Sequence, residues 1–375
     1  MKISRFGVHM ALFCAAVAAI VIFSGHDHTV EIQNRLLCHA LGIDHSDGRF
    51  EVSAQVFKPS GTGSDTPVDI TKSNIEIVSG SGKTVSEALE MCENTRGKEI
   101  FLGHLQLICL GKSVDLSKPQ ELFEFCLKDK SVYLGVDICQ SDTTAKELMK
   151  VELSNDMLAT ENYVEVIERN AEKSRTVRCR LLDLLSSASG EQCVAIPVLT
   201  VVQPSQEDKE LTEPVLSVKN TALITGGKAA DVQLDPDNSA ALFLLRDSSK
   251  EADMVLRDGG EAFSVSISKK RCSAKIEQGS SGLLYKAKLT VVVHRTKDAA
   301  NVEEPQKISE LVTQELTRQF RSIFKTCVNE QAADAFGIRK RLRQSYPKTF
   351  LEYEQEIGNL YKTAQGRLEI ECLVE

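Results

Sequence analysis

A long apolar stripe near the C-terminus limits the folds open to this chain. Between about residues 305 and 330, apolar side chains recur at the three- and four-residue spacing of an amphipathic helix. Such a helix is stable when its apolar face is covered, and strand-like segments lie on both sides of it. We therefore expect the stripe to pack on a C-terminal sheet rather than to form a groove for a partner helix. Its members are Ile308, Leu311, Val312, Leu316, Phe320, Ile323 and Phe324.

The segments around this helix predict the C-terminal sheet. A second helix is expected over about 347–362, and Gly366–Val374 closes the chain as an edge strand. In the strand before the long helix, Leu289, Val291 and Val293 alternate and share one face. The strands expected before the long helix are 217–224, 241–246, 262–276 and 284–295.

The N-terminal half begins with a hairpin signature. Asn34–Asp44 reads as a strand, His45–Gly48 supplies turn residues, and Phe50–Phe57 alternates apolar and polar side chains. Capping patterns at Thr84 and Thr144, together with Pro119, predict helices between later strands. Those later strands are expected at 74–78, 100–110, 132–139 and 195–203, with 100–110 buried on both faces.

These patterns predict an α+β fold with distinct halves. We expect mixed β-sheets with packed helices in the N-terminal region and a separate C-terminal domain built from an antiparallel sheet and a long helix. A chain of 375 residues is long enough for two or three domains. The polar, proline-bounded segment 204–214 predicts the boundary. The expected parts are 1–25, 26–204 and 215–375.

The N-terminal segment predicts a membrane association. Lys2 and Arg5 precede Phe6–Phe23, an apolar run of 18 residues. The run is long for a signal-peptide core and near the lower limit for crossing a bilayer. An uncleaved anchor and a signal cleaved after Phe23–Gly25 are both consistent with it. Because positive charge stays on the cytoplasmic side, residues 26 onward are expected outside the cytoplasm.

Composition excludes several classes of partner. The net charge is −8 with acidic and basic residues interleaved, whereas a nucleic-acid surface needs clustered lysine and arginine. Tryptophan is absent and aromatic residues make up 5%, so stacking platforms for bases are not expected. The 11 cysteines are spread without a Cys-x-x-Cys pair, which predicts small core hydrophobes rather than a disulfide framework.

One segment imitates a phosphate-binding loop. Ser79–Thr84 follows a strand and precedes a helix, and it ends in Gly-Lys-Thr. The loop also needs a glycine five residues before Gly82, where this chain has Ile77. Asp137, after an apolar run, could imitate a magnesium-holding carboxylate. We favour a glycine-permitted turn into a capped helix, and an extracytoplasmic nucleotide hydrolase is a minor hypothesis.

The remaining polar clusters favour structural roles. His26–His28 could ligate a metal, but solvated residues beside the membrane fit the segment better. His104 lies in an apolar run and predicts a hydrogen-bonded core histidine. The basic cluster Arg339–Arg343 could meet anionic headgroups or an acidic loop, while a solvated helix end is the favoured interpretation. We therefore assign no catalytic, cofactor-binding or metal residue and predict no enzyme.

The segment Gln331–Phe350 carries a family resemblance. An amphipathic helix runs into Asp334–Ile338, a basic segment follows, and Tyr346-Pro347 opens another helix. This pattern resembles the C-terminal domain of the Ger(x)C family, the C subunits of nutrient receptors for spore germination. Three N-terminal segments resemble the same family in order, namely Ala40–Asp44 with the strand after it, Gly82–Ala88 and Ile100–Leu110.

The resemblance implies a non-enzymatic subunit with a mixed α+β fold. Family members lie on the outer face of the spore inner membrane, beside an integral A subunit and a transporter-like B subunit. Members usually carry a lipobox cysteine after the apolar stretch, whereas Cys14 lies within it here, and Val30-Glu31 replaces a usual Trp-Asp pair. An alternative hypothesis is an extracytoplasmic solute-binding module, which needs a buried polar pocket between the domains.

Overall fold

The computed structural model describes most of the chain after residue 33. The N-terminal segment 1–25 lies largely outside the described residues, apart from short helical pieces, and so do His26–His28 and 204–213. The described residues are 9–10, 13–17, 34–58, 74–129, 131–151, 159–187, 193–203, 214–225, 228–246, 249–258, 261–279, 282–296, 304–354 and 356–375.

The first half of the chain builds a large mixed sheet. Its strands lie in the order β10-β9-β8-β6-β5-β1-β2-β3. The four central strands β8, β6, β5 and β1 pair in parallel, and the flanking strands pair antiparallel. The elements are β1 (Arg35–Ser46), β2 (Arg49–Phe57), β3 (Ile75–Gly82), α1 (Val85–Arg96), β4 (Glu99–Phe101), β5 (Leu107–Leu110), α2 (Pro119–Leu122), α3 (Glu124–Lys128), β6 (Asp137–Ser141), α4 (Ala145–Met149), α5 (Ala159–Glu172), β7 (Cys179–Arg180), α6 (Leu181–Ser187), β8 (Cys193–Val202), β9 (Val215–Thr225) and β10 (Lys228–Leu234).

The predicted opening hairpin is confirmed. Strand β1 pairs antiparallel with β2, and Ser46 lies opposite Arg49. The two turn residues between them, Asp47 and Gly48, both have positive φ, 51° and 71°. Two consecutive positive-φ residues match the twist of a tight hairpin, which explains why an Asp-Gly pair occupies this turn.

The single strand predicted over Ile100–Leu110 is wrong. Strand β4 ends at Phe101, a 3₁₀ turn covers Leu102–His104, and β5 begins at Leu107. The turn places His104 at the surface, whereas Leu102 and Leu105 are buried. The apolar run therefore contains two short strands with an exposed corner between them.

The second half of the chain forms a four-stranded sheet covered by helices. Its order is β11-β12-β13-β14, where the first three strands pair antiparallel and the C-terminal strand β14 adds in parallel to β13. The elements are α7 (Pro236–Leu245), β11 (Glu251–Asp258), β12 (Glu261–Gly279), β13 (Gly282–Arg295), α8 (Pro305–Ile323) with a wider π-type continuation (Phe324–Glu330), α9 (Ile338–Ser345), α10 (Pro347–Tyr353), α11 (Ile357–Thr363) and β14 (Gln365–Val374).

The strand predicted at 241–246 is instead the second half of helix α7 and the residue after it. The Asp235 side chain accepts the backbone N–H of Asn238 at 2.8 Å, and Pro236 occupies the first turn, so the helix has a well-formed start. Every residue from Ser239 to Leu245 is buried. A helix surrounded by apolar neighbours lacks the helical periodicity that would distinguish it from a strand.

Helix α7 lies between the two sheets. One continuous core joins Leu223 and Leu234 of the first sheet, Leu242 and Phe243 of α7, and Leu289 of the second sheet. The two halves of the chain are therefore connected by apolar packing. Strands β9 and β10 belong to the first sheet although they follow 204–214, and the domain division at that segment stays a prediction.

The predicted amphipathic helix is confirmed. Leu311 is half-buried, and the other six residues of its stripe are buried. The helix expected over 347–362 is divided into α10 and α11. Leu289, Val291 and Val293 are all buried beneath the helices, as their alternation predicts. The predicted α+β class is also confirmed, with the qualification that β14 pairs in parallel.

Most of the cysteines pack as the sequence predicts. Eight of the 11 are buried, Cys272 and Cys372 are half-buried, and Cys14 is exposed. Burial raises the pKa of Cys92 to about 11 and that of Cys126 to about 12. Because the thiolate is the reactive form, these side chains act as small core hydrophobes.

Candidate functional site

The segment that carries the family resemblance forms a buried connection between α8 and α9. The Asp334 carboxylate accepts the backbone N–H of Ile338 at 2.6 Å and that of Arg339 at 2.8 Å. Burial raises the pKa of Asp334, while these two hydrogen bonds oppose the rise. The carboxylate thus satisfies donors that the first turn of a helix leaves unpaired.

The next residues of the segment fix the angle at which α9 leaves the core. Gly337 has φ +67°, a left-handed conformation that glycine adopts without strain. Phe336 is buried among three rings, with its centroid 5.4 Å from Tyr285 and 5.5 Å from both Phe320 and Phe324. The Asp-Ala-Phe-Gly-Ile sequence therefore combines a helix cap, a core anchor and a turn.

The basic cluster Arg339–Arg343 lies along α9 rather than at an exposed helix end. The Arg339 guanidinium lies 5.4 Å from the centre of the Phe350 ring and 3.7 Å from the Glu354 carboxylate. Arg341 is half-buried, and Lys340 and Arg343 are exposed. The cluster thus divides between side chains that attach α10 to α9 and side chains that face solvent.

The loop that imitates a phosphate-binding loop is largely strand. Ser79–Gly82 forms the second half of β3 and pairs with β2, including Gly82 opposite Phe50. A Cβ atom on Gly80 would lie 2.7 Å from the Cys92 backbone nitrogen, and one on Gly82 would lie 2.6 Å from that of Ala88. These glycines permit close packing of α1 on β3, and their place in a paired strand argues against a phosphate cradle.

The capping box at the start of α1 is confirmed. Thr84 Oγ1 accepts the backbone N–H of Glu87 at 3.1 Å, and the Glu87 carboxylate accepts that of Lys83 at 2.7 Å. A second predicted cap is confirmed at α4, where Thr144 accepts the backbone N–H of Glu147 at 3.1 Å. Both threonines therefore start helices, as the sequence indicates.

Asp137 has a partner that the sequence does not reveal. Its side chain is 6% exposed and accepts two hydrogen bonds from Arg178, from Nε at 3.1 Å and from Nη2 at 2.6 Å. The same guanidinium pairs with Glu168, and these interactions raise the pKa of Arg178. Asp137 begins β6, whereas a magnesium-holding aspartate would end its strand. The two partners are 41 residues apart, so no local pattern signals the pair.

A cleft of about 480 Å³ opens beside this ion pair. Leu105, Tyr133 and Val164 line it together with Glu161 and Glu165. Its acidic side chains face a guanidinium that is already engaged by two carboxylates. The cleft belongs to the N-terminal region and does not separate the two sheets.

The predicted core histidine is wrong. His104 is exposed, with its ring centroid 6.0 Å from that of His39. Burial and the neighbouring His104 ring lower the pKa of His39, whose Nδ1 atom is buried without a hydrogen-bond partner. The exposed corner after β4, which the apolar pattern conceals, explains the difference.

Within the described ranges of the chain, no group of three or more histidine, cysteine, aspartate or glutamate side chains could hold a metal ion. No helix among the described residues has the length and apolarity needed to cross a bilayer.

Comparisons with known proteins agree in both halves of the chain. Residues 28–201 match the spore germination protein N-terminal domain, and residues 219–374 match the domain described as spore germination B3/GerAC like, C-terminal. No curated protein matches the chain. Among solved structures, the crystal structure of the GerBC protein is similar, with a TM-score of 0.58 and 12% identity over 89% of this chain and 96% of that chain. At 12% sequence identity, the similarity between the two structures is evidence for a shared fold.

We call Gln331–Phe350, which carries the family resemblance, the signature segment. The fold and this segment define a class of two-sheet α+β proteins in which residues of the segment hold the structure together. The family matches cover most of the sequence in the expected order. This chain belongs to the Ger(x)C family of spore germination proteins.

Proposed function

We propose that this chain is the C subunit of a nutrient germinant receptor. It lies on the outer face of the spore inner membrane, held there by its N-terminal segment 1–25. It works with the A and B membrane subunits by assembly and coupling, and it makes or breaks no bond. The observation that carries the proposal is the match of both halves of the chain, 28–201 and 219–374, to germination domains in the family's order.

The chemistry of the signature segment supports an assembly role. Asp334 is occupied by backbone donors, and Phe336 is buried in the core. A catalytic acid or base needs access to the proton that it transfers, and a side chain committed to a helix cap lacks that access.

The solute-binding alternative requires a polar pocket between the two halves. Helix α7 occupies that position, and its neighbours there are apolar side chains such as Leu223 and Leu289. Burying a polar solute among them would leave its polar groups without hydrogen-bond partners. The packing therefore favours the subunit proposal over a solute-binding module.

The proposal is tested by deleting the gene in its host and measuring spore germination. Nutrients and calcium dipicolinate, a trigger that bypasses receptors, are compared in parallel. We expect loss of the nutrient response with the dipicolinate response intact, and recovery when the wild-type gene is restored. An unchanged response to every nutrient, in a strain lacking related receptors, would contradict the proposal.

The tether has its own test. Membrane and soluble fractions of spores are probed for the full chain and for a variant in which Val17 and Ile20 are replaced by aspartate. Charged residues within an apolar segment are costly in a bilayer, so we expect the variant to leave the membrane fraction. Retention of the variant at wild-type levels would mean that other contacts hold the chain there.

A further inference from the structure

Three cations lie side by side on the solvent face of the second sheet. Lys275 of β12 is directly opposite Lys286 of β13, and Lys286 is directly beside Arg367 of β14. We call these three residues the cation row. Their neighbours along each strand, such as Ala274 and Ala287, face the core. The row is therefore set by the strand register, and it spans three of the four strands.

The row is electrostatically costly for the sheet. Like charges directly opposite one another in neighbouring strands destabilise the pairing. Glu277 relieves one end, since it pairs with Lys275 at 3.0 Å and with Lys286 at 2.5 Å, and these lysines lower its pKa. Within the described part of the chain, Arg367 has a distant contact, with its Nε atom 3.9 Å from the Glu369 carboxylate. Glu277 therefore offsets the charge of the two lysines, whereas Arg367 keeps the most distant carboxylate contact of the three cations.

The surface around the row is shaped to receive a ligand. A groove of about 380 Å³ contains the whole row, and Lys288 adds a fourth cation to its wall. Ser273 and Glu369 also line it. The groove rests on paired strands, so the backbone positions of its charged residues are fixed relative to one another.

The mixed charges of the groove favour a protein over a lipid surface. Glu369 of β14 lies directly opposite Lys288 of β13, and Glu371 lies 3.8 Å from Lys288. A uniformly anionic bilayer surface would meet these carboxylates as well as the cations. An acidic peptide can place its carboxylates over the cations and its backbone donors over the glutamates, which gives electrostatic complementarity.

We propose that the cation row and its groove dock an acidic segment of a partner protein. This inference deepens the proposed function, because it rests on a chain that acts by assembly. It assigns the contact to the C-terminal sheet and assigns acidic side chains to the partner.

The test uses the purified full chain and a fluorescent eight-residue peptide of alternating glutamate and serine. Binding is followed by fluorescence anisotropy at low salt. We expect the peptide to bind, an alternating lysine and serine peptide not to bind, and Arg367→Glu to weaken binding about fivefold or more. Lys128→Glu is the matched control, because Lys128 is an exposed lysine in an ion pair, 69% accessible, on helix α3. Circular dichroism and thermal melting confirm that both variants remain folded.

Three results would overturn the docking surface. The first is an absence of peptide binding at low salt, and the second is an equal loss of peptide affinity in Arg367→Glu and Lys128→Glu. The third is that the full chain binds phosphatidylglycerol vesicles in a way that depends on Arg367, while its binding of the peptide does not depend on Arg367. The last result would assign the row to lipid.

The same variants separate this inference from the proposed function. If gene deletion abolishes the nutrient response but Arg367→Glu spores germinate normally, the receptor role stands and the docking surface fails. If deletion has no effect while Arg367-dependent peptide binding persists, the docking surface stands and the receptor role fails.

Discussion

The Asp334 carboxylate accepts the backbone N–H of Arg339 at 2.8 Å, and this bond fixes the start of α9. The same carboxylate accepts the N–H of Ile338, so a single side chain serves two donors at the start of the helix. The residue that most resembles a functional acid in the signature segment is thereby a structural cap.

Replacing Asp334 with alanine should destabilise the protein by about 1–3 kcal/mol, because two helix-terminal donors lose their acceptor. Urea unfolding measures the change, and Asp334→Asn, which keeps one acceptor oxygen, should cost less. Glu352→Ala is the control, since Glu352 is exposed on α10. Equal midpoints for Asp334→Ala and Glu352→Ala would contradict the cap.

Gly80→Ala should be among the most damaging single-methyl changes in this chain. The added Cβ would lie 2.7 Å from the Cys92 backbone nitrogen, so α1 must move away from β3. We expect a loss of about 2–4 kcal/mol, read from the denaturation midpoint. Gly358→Ala is the matched control, because its nearest contact would be 3.5 Å and a helical alanine is intrinsically favourable. A smaller loss for Gly80→Ala than for Gly358→Ala would refute the packing argument.

Arg178→Met should destabilise the N-terminal region by about 2 kcal/mol. The buried Asp137 carboxylate would lose two hydrogen bonds and its countercharge, and the exposed part of Arg178 limits the cost. Adding Asp137→Asn should recover part of the loss, which a double-mutant cycle measures. Arg169→Met removes an exposed pair with Glu165 on α5 and should cost less than about 0.5 kcal/mol. If the double variant recovered no stability relative to Arg178→Met, Arg178 and Asp137 would not be energetically coupled.

Stability should fall slightly as the pH is lowered through the range of His39. The folded-state pKa of His39 lies below the ordinary 6.5. The contribution of the neutral His39 side chain to the free energy of unfolding is therefore complete above pH 6.5, and it is lost as the pH falls through the folded-state pKa. The His104 ring is the neighbour of the His39 ring. His104 also packs against Phe101, and the Arg35 guanidinium lies over the Phe101 ring. Urea midpoints between pH 7.5 and 5.0 should depend less on pH in His39→Gln than in wild type. His294→Gln is the control, and an unchanged slope in His39→Gln would contradict the prediction.

Local chemistry explains what the sequence predicts well. The turn at Asp47-Gly48 and the cap at Thr84 depend on residues within four positions of each other, so their patterns are visible in the chain. The stripe from Ile308 to Phe324 is equally clear because one face of a long helix is covered by a sheet.

Contacts between distant residues explain what the sequence misses. The sequence predicts a strand at 241–246 because every residue from Ser239 to Leu245 of α7 is buried, so the helical periodicity disappears there. The Asp137–Arg178 pair joins residues 41 positions apart, and the parallel pairing of β14 joins Leu289 to Ile370. The cation row is also invisible in the chain, since it depends on the register of three strands.

The buried position of α7 has a mechanical consequence. The side chains of Leu242 and Phe243 belong to the same core as Leu223 of one sheet and Leu289 of the other. Sliding one sheet past the other would open gaps in close-packed material that yields little. A pull applied at the C-terminal sheet is therefore passed to the N-terminal sheet through this helix, and the described parts of the two halves should respond to load, and melt, as one cooperative body.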